Sequence, residues 1–145
     1  MYSLHLINKN IGKFYENIPF SGLTSLRFMI VDENVQDRES LKNVLEFLGY
    51  SVVSVAGYTE ASKHIRAGEN YEFIITAIRS DSCMDFEKFL LSVKDFLEDS
   101  SVVIASERAE ESCFQSFEND EKIAGAIHKP YKMEELERII KSVRQ

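Results

Sequence analysis

Short uninterrupted apolar runs alternate along this chain with longer stretches whose apolar residues recur every three or four positions. The first run, Phe28 to Val31 within residues 26–34, is too short for a helix and rich in β-formers, so it predicts a strand. A strand that is apolar without alternation is covered on both faces, as in a parallel sheet packed between helix layers. A helix beginning at Val35 or Gln36 follows, with Leu41, Val44, Leu45 and Leu48 on one stripe and Gly49 as its C-cap. Tyr50–Ala56 reads as a second strand. Thr59 is placed to cap a short helix that carries Ala61 and Ile65 and stops near Gly68. Phe73–Ile78 is the third strand, and Asp85–Phe96 a helix with Phe86, Phe89, Leu90, Val93 and Phe96 facing inward. Ser101–Ala105, a helix over 108–119 carrying Phe114 and Phe117, and Ile123–Ile127 complete the alternation. The last helix, Lys132–Val143, has Met133, Leu136, Ile139, Ile140 and Val143 near the 3.6-residue period.

Five strands alternating with five helices predict a doubly wound α/β domain over residues 26–145, with a parallel sheet. Of the two common orders, 2-1-3-4-5 suits five units of this length, a flavodoxin-like arrangement. Residues 1–25 stand apart. Tyr2, Leu4 and Leu6 alternate with polar neighbours, Ile11, Phe14, Tyr15 and Ile18 fall at helical spacing, and Pro19 to Ser25 reads as a linker. This extension is either a tail docked on its own domain or an arm that binds a partner, within one molecule or across a dimer.

Composition narrows the function classes. A net charge of −7 argues against direct nucleic-acid binding, which needs a basic face. No apolar run is long enough to cross a membrane. Cys83 and Cys113 set no disulfide framework or metal spacing, and with no signal-peptide pattern they suit a reducing cytoplasm.

Ligand sites in open α/β sheets lie beyond the carboxyl ends of the strands at the switch point. The predicted order brings Asp32 with Glu33, Ala77, Ser106 and Lys129 to that place. Taken alone, the two acids are also what a helix N-terminus prefers, and Ser106 is also what a helix cap prefers. His128, leaving a strand, fits a half-buried structural role better than a phosphate carrier. The acids Glu107, Glu110, Glu111, Glu118, Asp120 and Glu121 read as a solvated helix face.

The sequence blocks Ile30-Val31-Asp32-Glu33-Asn34, Tyr71 to Ile75, Val102 to Ser106 and Lys129-Pro130-Tyr131, in this order and at these strand ends, resemble the receiver domain of two-component response regulators. The resemblance covers residues 26–145. It implies Asp32 and Glu33 at the Mg²⁺-binding acids, Ser106 at the phosphoryl-binding hydroxyl, Lys129 at the phosphoryl-binding lysine, and Pro130 after a cis peptide bond. It also implies phosphotransfer from a histidine kinase to an aspartate at the end of the third strand, and an output and dimerisation face that here includes Phe114, Phe117 and Tyr131.

Two departures change the function implied. Ala77 occupies the acceptor position, and a methyl group is no nucleophile. Ala126 occupies the aromatic switch position on the fifth strand. Glu72 lies at the far end of the strand, and Asp81 reaches the pocket only along an altered loop path. The expectation is a degenerate, or pseudo-, receiver. It is not an enzyme, and it holds no cofactor beyond at most weak Mg²⁺ at Asp32 and Glu33. It acts in the cytoplasm by binding proteins such as a histidine kinase or a second regulator, with a homodimer left open. The first rival is a phosphoaccepting receiver whose aspartate has been replaced by Ala77; the second, for which the sequence gives no positive sign, is a small-molecule or anion binder using the vacated pocket.

Overall fold

The computed structural model describes residues 26–79, 83–107, 115–117 and 119–144. Its strands are β1 Arg27–Val31, β2 Ser51–Val55, β3 Phe73–Ala77, β4 Ser101–Ser106 and β5 Ile123–His128. They form one parallel sheet in the order β2-β1-β3-β4-β5. Its α-helices are α1 Val35–Phe47, α2 Tyr58–Arg66, α3 Cys83–Val93 and α4 Met133–Arg144. Among the described residues there are thus four α-helices. The fifth expected helix falls mostly on residues 108–114 and 118, outside them; of its described residues Gln115 is helical, while Ser116 and Phe117 are in a turn. The expected N-terminal elements in residues 1–25 also lie outside the described residues.

Period-two alternation in β1 divides the core. Phe28 and Ile30 point to one layer with Leu41 and Leu45 of α1 and Leu136 and Ile140 of α4. Met29 and Val31 point to the other with Ala61 and Ile65 of α2 and Phe86, Leu90 and Val93 of α3. Both faces of the strand are therefore dry, and its near-continuous apolar sequence follows. Phe28 stacks on Phe73 with centroids 5.2 Å apart and meets Tyr50 at 4.9 Å, knitting β1 to its neighbours.

Local signals act much as their chemistry requires. Asn34 caps α1 by accepting from the Asp37 amide at 3.0 Å. Gly49, at φ 97°, ends the α1 segment in the left-handed region. Thr59 does not cap α2. The N-cap is Gly57, two residues earlier, and the Tyr58 ring that opens the helix packs against Phe89, 4.5 Å away. Phe96 is not core either. The chain tightens to a 3₁₀ turn over Lys94–Phe96, which rotates this ring off the inward stripe and leaves it 47% exposed under the Arg66 guanidinium.

At the amino ends of the strands, Glu69 accepts from the Tyr71 hydroxyl at 2.7 Å and pairs with Arg27 and His64. The Tyr71 hydrogen bond and the His64 contact hold the Glu69 carboxyl below its usual range. This network ties β1 to the α2–β3 connection at the end of the sheet away from the cleft described next.

Candidate functional site: a closed acidic cleft

Because every strand runs the same way, their carboxyl ends share one edge. The chain leaves β1 toward β2 on one side, whereas β3 continues toward β4 on the other. The loops part there and leave a cleft of about 380 Å³. Asp32, Glu33, Ala77, Ser106 and Lys129 all line it, so the residues singled out in the sequence are neighbours in space.

Asp32 is only 4% exposed. A buried carboxylate needs partners on both oxygens. Oδ1 accepts from the Asn34 amide at 2.9 Å, and Oδ2 accepts from Lys129 Nζ at 2.8 Å. Lys129 bonds Asp37 Oδ2 as well, at 2.9 Å. Its backbone is fixed by its amide donating to the Ser106 carbonyl at 3.0 Å, and the Lys129–Pro130 bond is cis. Burial alone would lower the lysine's pKa, but the hydrogen bonds it donates to Asp32 and Asp37 outweigh it and raise the pKa above the ordinary value. The ammonium is therefore fully charged at neutral pH. At the mouth of the cleft Arg79 pairs with Glu33, both well exposed.

Ala77 is half-buried at the end of β3, in register with Ala105. Ser106 is 2% exposed, and its side chain faces the cleft. Ala126 pairs in register with Ile104 and packs against the α2–α3 side of the core, where its methyl offers no ring to rotate. Glu72 lies at the opposite end of β3, accepting from the Arg27 amide at 2.7 Å. Asp81 lies outside the described residues.

The cleft holds residues that sequence reasoning missed. Asp37, Arg79, Asp85 and Tyr58 all line it. Asp37 carried a signal, since an acid in the first turn of the helix after the Asp32-Glu33 pair stands near the same strand end. Tyr58 carried a weaker one as a lone aromatic after Gly57. Its hydroxyl shares a hydrogen bond of 3.1 Å with Thr76 Oγ1 inside the sheet. Burial pushes the Tyr58 phenol up to about 12, against a smaller lowering by the Thr76 bond. Its folded-state pKa is thus above the unfolded value near 10, so the associated stability is complete below pH 10 and lost as pH rises toward 12. The unfolding free energy is expected to fall more steeply over pH 10–12 in the native chain than in Tyr58→Phe, by about 2 kcal/mol in total. Parallel curves in urea titrations would contradict this burial.

His128, Asp120, Phe117 and Tyr131, also singled out in the sequence, lie outside the cleft, and His128 takes the half-buried structural place expected of it. His128 Nδ1 contacts Glu135 Oε2 at 2.9 Å, a bond that anchors α4 on β5. Asp120 does not belong to a solvated face. Its carboxylate accepts from the Lys122 amide at 2.9 Å and pairs with Lys94, and the amide bond holds its pKa low. Phe117 packs edge-on against Phe86 at 4.9 Å, and Tyr131 lies against the α1–α4 core, so both rings are half-covered rather than free anchors. Phe114 lies outside the described residues. Cys83 is disulfide-bonded, which corrects the expectation of unpaired thiols, and Cys113, the one other cysteine in the sequence, lies outside the described residues.

The receiver-like site implies Mg²⁺, and these residues do not fit it. Mg²⁺ demands oxygen ligands in octahedral array. Both Asp32 oxygens already accept hydrogen bonds, Glu33 is paired with Arg79, and Ala77 supplies no oxygen. Among the described residues no group of three or more acidic, histidine or cysteine side chains is placed to hold a metal ion. Among them, too, no helix is long and apolar enough to cross a membrane.

Comparison with known structures agrees with the fold. A response regulator receiver protein from Dyadobacter fermentans superposes with a TM-score of 0.70 at 18% identity, covering 82% of this chain and 98% of that one. A response regulator receiver protein from Pseudomonas putida gives 0.63 at 20% identity, with 81% and 96% covered. An adenylate cyclase structure from Rhodopirellula baltica gives 0.65 at 18% identity, with 81% and 85% covered. No family model and no curated protein matches the chain. The fold is that of a response regulator receiver domain. At these identities the likeness is one of architecture, and function has to be argued from the cleft itself.

Proposed function

We propose that the chain is a degenerate receiver domain, an element of two-component-type signalling that acts by binding protein partners without accepting a phosphoryl group. It is not an enzyme. Its partners would be a histidine kinase or a second regulator. One observation carries the reading: the cleft has alanine where the acceptor must stand, and Lys129 pairs with Asp32 and Asp37 while Arg79 pairs with Glu33. Lys129, which in the resemblance contacts the phosphoryl group, instead closes on Asp32 and Asp37. Phosphoryl transfer depends on positioned charge and an in-line nucleophile, and this cleft offers the first without the second.

The closed ion pairs give a direct test. Mg²⁺ would have to displace Lys129 from Asp32 and Arg79 from Glu33. Calorimetric titration of the purified chain with MgCl₂ is expected to show no binding below about 10 mM, given how reluctantly this ion sheds water. Sub-millimolar binding abolished by Asp32→Asn would overturn the reading.

A further inference from the structure

Among the described residues, the outer edge of β2 is bare of the devices that usually guard a sheet edge. Residues 47–59 form the longest uncharged run in the chain, thirteen residues without a charge or a proline, in a sequence of which 28% is charged. β2 lies at the centre of that run and at the end of the sheet. Natural edges are normally protected by charged side chains, especially lysine, or by proline or bulges. The opposite edge follows that rule. Asp120, Glu121 and Lys122 lead into β5, its pairing with β4 is irregular at Val102/Val103, and His128 at its end is held by Glu135.

The ladder determines which groups face outward. The Ser51 amide donates to Leu26 O at 3.2 Å, and Val55 O accepts from the Asp32 amide at 3.1 Å. Ser51 and Val55, and by alternation Val53, therefore turn their backbone groups toward β1. Val52 and Ser54 present theirs to the outside.

We propose that this edge pairs with the same edge of a second copy of the chain, antiparallel, about a two-fold axis at Val53. Three observations favour a copy as the occupant. First, that register alone overlaps all five residues, setting Ser51 opposite Val55 and Val52 opposite Ser54. Second, it places Val52 and Ser54, whose backbone groups face outward, as the hydrogen-bonded pairs, and Val53 against its own symmetry mate as the close non-bonded pair. Third, the chain carries a net charge of −7, so two copies repel over most of their surfaces, and an uncharged edge is where they approach without that cost. Phe47, 51% exposed at the end of the helix packed on β2, adds apolar surface beside the seam. The pairing is isologous and closes at a dimer with one continuous ten-stranded sheet.

Sedimentation velocity and amide exchange on the full chain test this. The chain is expected to show a concentration-dependent monomer–dimer equilibrium. On dimerisation the Val52 and Ser54 amides should exchange at least tenfold more slowly, while the Val53 amide, already bonded to β1, changes little. Ser54→Pro removes an outward amide without touching the β1 ladder, and Ser54→Lys installs the missing guard. Each should weaken dimerisation at least tenfold, and circular dichroism identifies the variants that keep the fold. A chain that stays monomeric at several hundred micromolar overturns the proposal. So does a dimer that a folded Ser54 variant leaves unchanged. Protection of Val52 and Ser54 that is independent of concentration also overturns it, since the edge would then be covered by the chain's own residues.

Discussion

Lys129→Met is expected to lower the unfolding free energy by about 2–3 kcal/mol and the melting temperature by roughly 10 °C. The lysine side chain is 16% exposed and neutralises Asp32, whose side chain is 3% exposed, while also reaching Asp37. Removing it leaves a buried carboxylate with only the Asn34 amide and a second acid nearby. Breaking one partner of a buried pair costs more than the pair is worth, because the desolvated charge remains. Asp37→Asn is the control. Asp37 is more than a third exposed, so its loss should cost less than about 1 kcal/mol. The Lys129→Met loss should persist at high salt, since a buried pair is poorly screened. If Lys129→Met melts with the native chain, the ammonium does not close the cleft.

Ala77→Asp is expected to convert a chain that takes no phosphoryl label into one that acetyl phosphate labels in the presence of Mg²⁺. The new carboxylate would join Asp32 and Glu33 on the cleft wall and supply both the missing nucleophile and a third metal oxygen. Three acids at one place repel one another, so this variant should be less stable than the native chain until Mg²⁺ is added. Labelling should also be slow, since Lys129 and Arg79 must first give up their present partners. A phosphoryl group so placed would find Ser106 but no ring at Ala126, so amide shifts should stay close to the cleft. Large shifts reaching α4 would mean that another element relays the signal.

The fold was legible because hydrophobic periodicity reports burial directly. The run from Phe28 to Val31 announced a strand buried on both faces, and the sheet places those residues alternately in two cores. Boundaries were less legible where tertiary contacts decide them. Tyr58 enters α2 because its ring packs on Phe89, which no local propensity encodes, and Phe96 leaves the inner stripe because the chain tightens after Val93. In the cleft, Asp32, Glu33, Ser106 and Lys129 were found because each ends a strand or follows one within two residues. The bond from Lys129 to Asp32 joins two residues 97 positions apart that the parallel sheet brings to one edge. Asp37, Arg79 and Asp85 were not found, because their approach depends on how the first turns of α1 and α3 and the chain after β3 fold back over the opening.

The central claim, that this receiver-like cleft takes no phosphoryl group, is tested most directly on the unmodified chain. It would be incubated with acetyl phosphate and Mg²⁺ and examined by intact mass before and after mild base. No added mass is expected under conditions that label the Ala77→Asp variant. A base-labile phosphoryl adduct on the unmodified chain, mapped to Asp81 or to any residue lining the cleft, would contradict it.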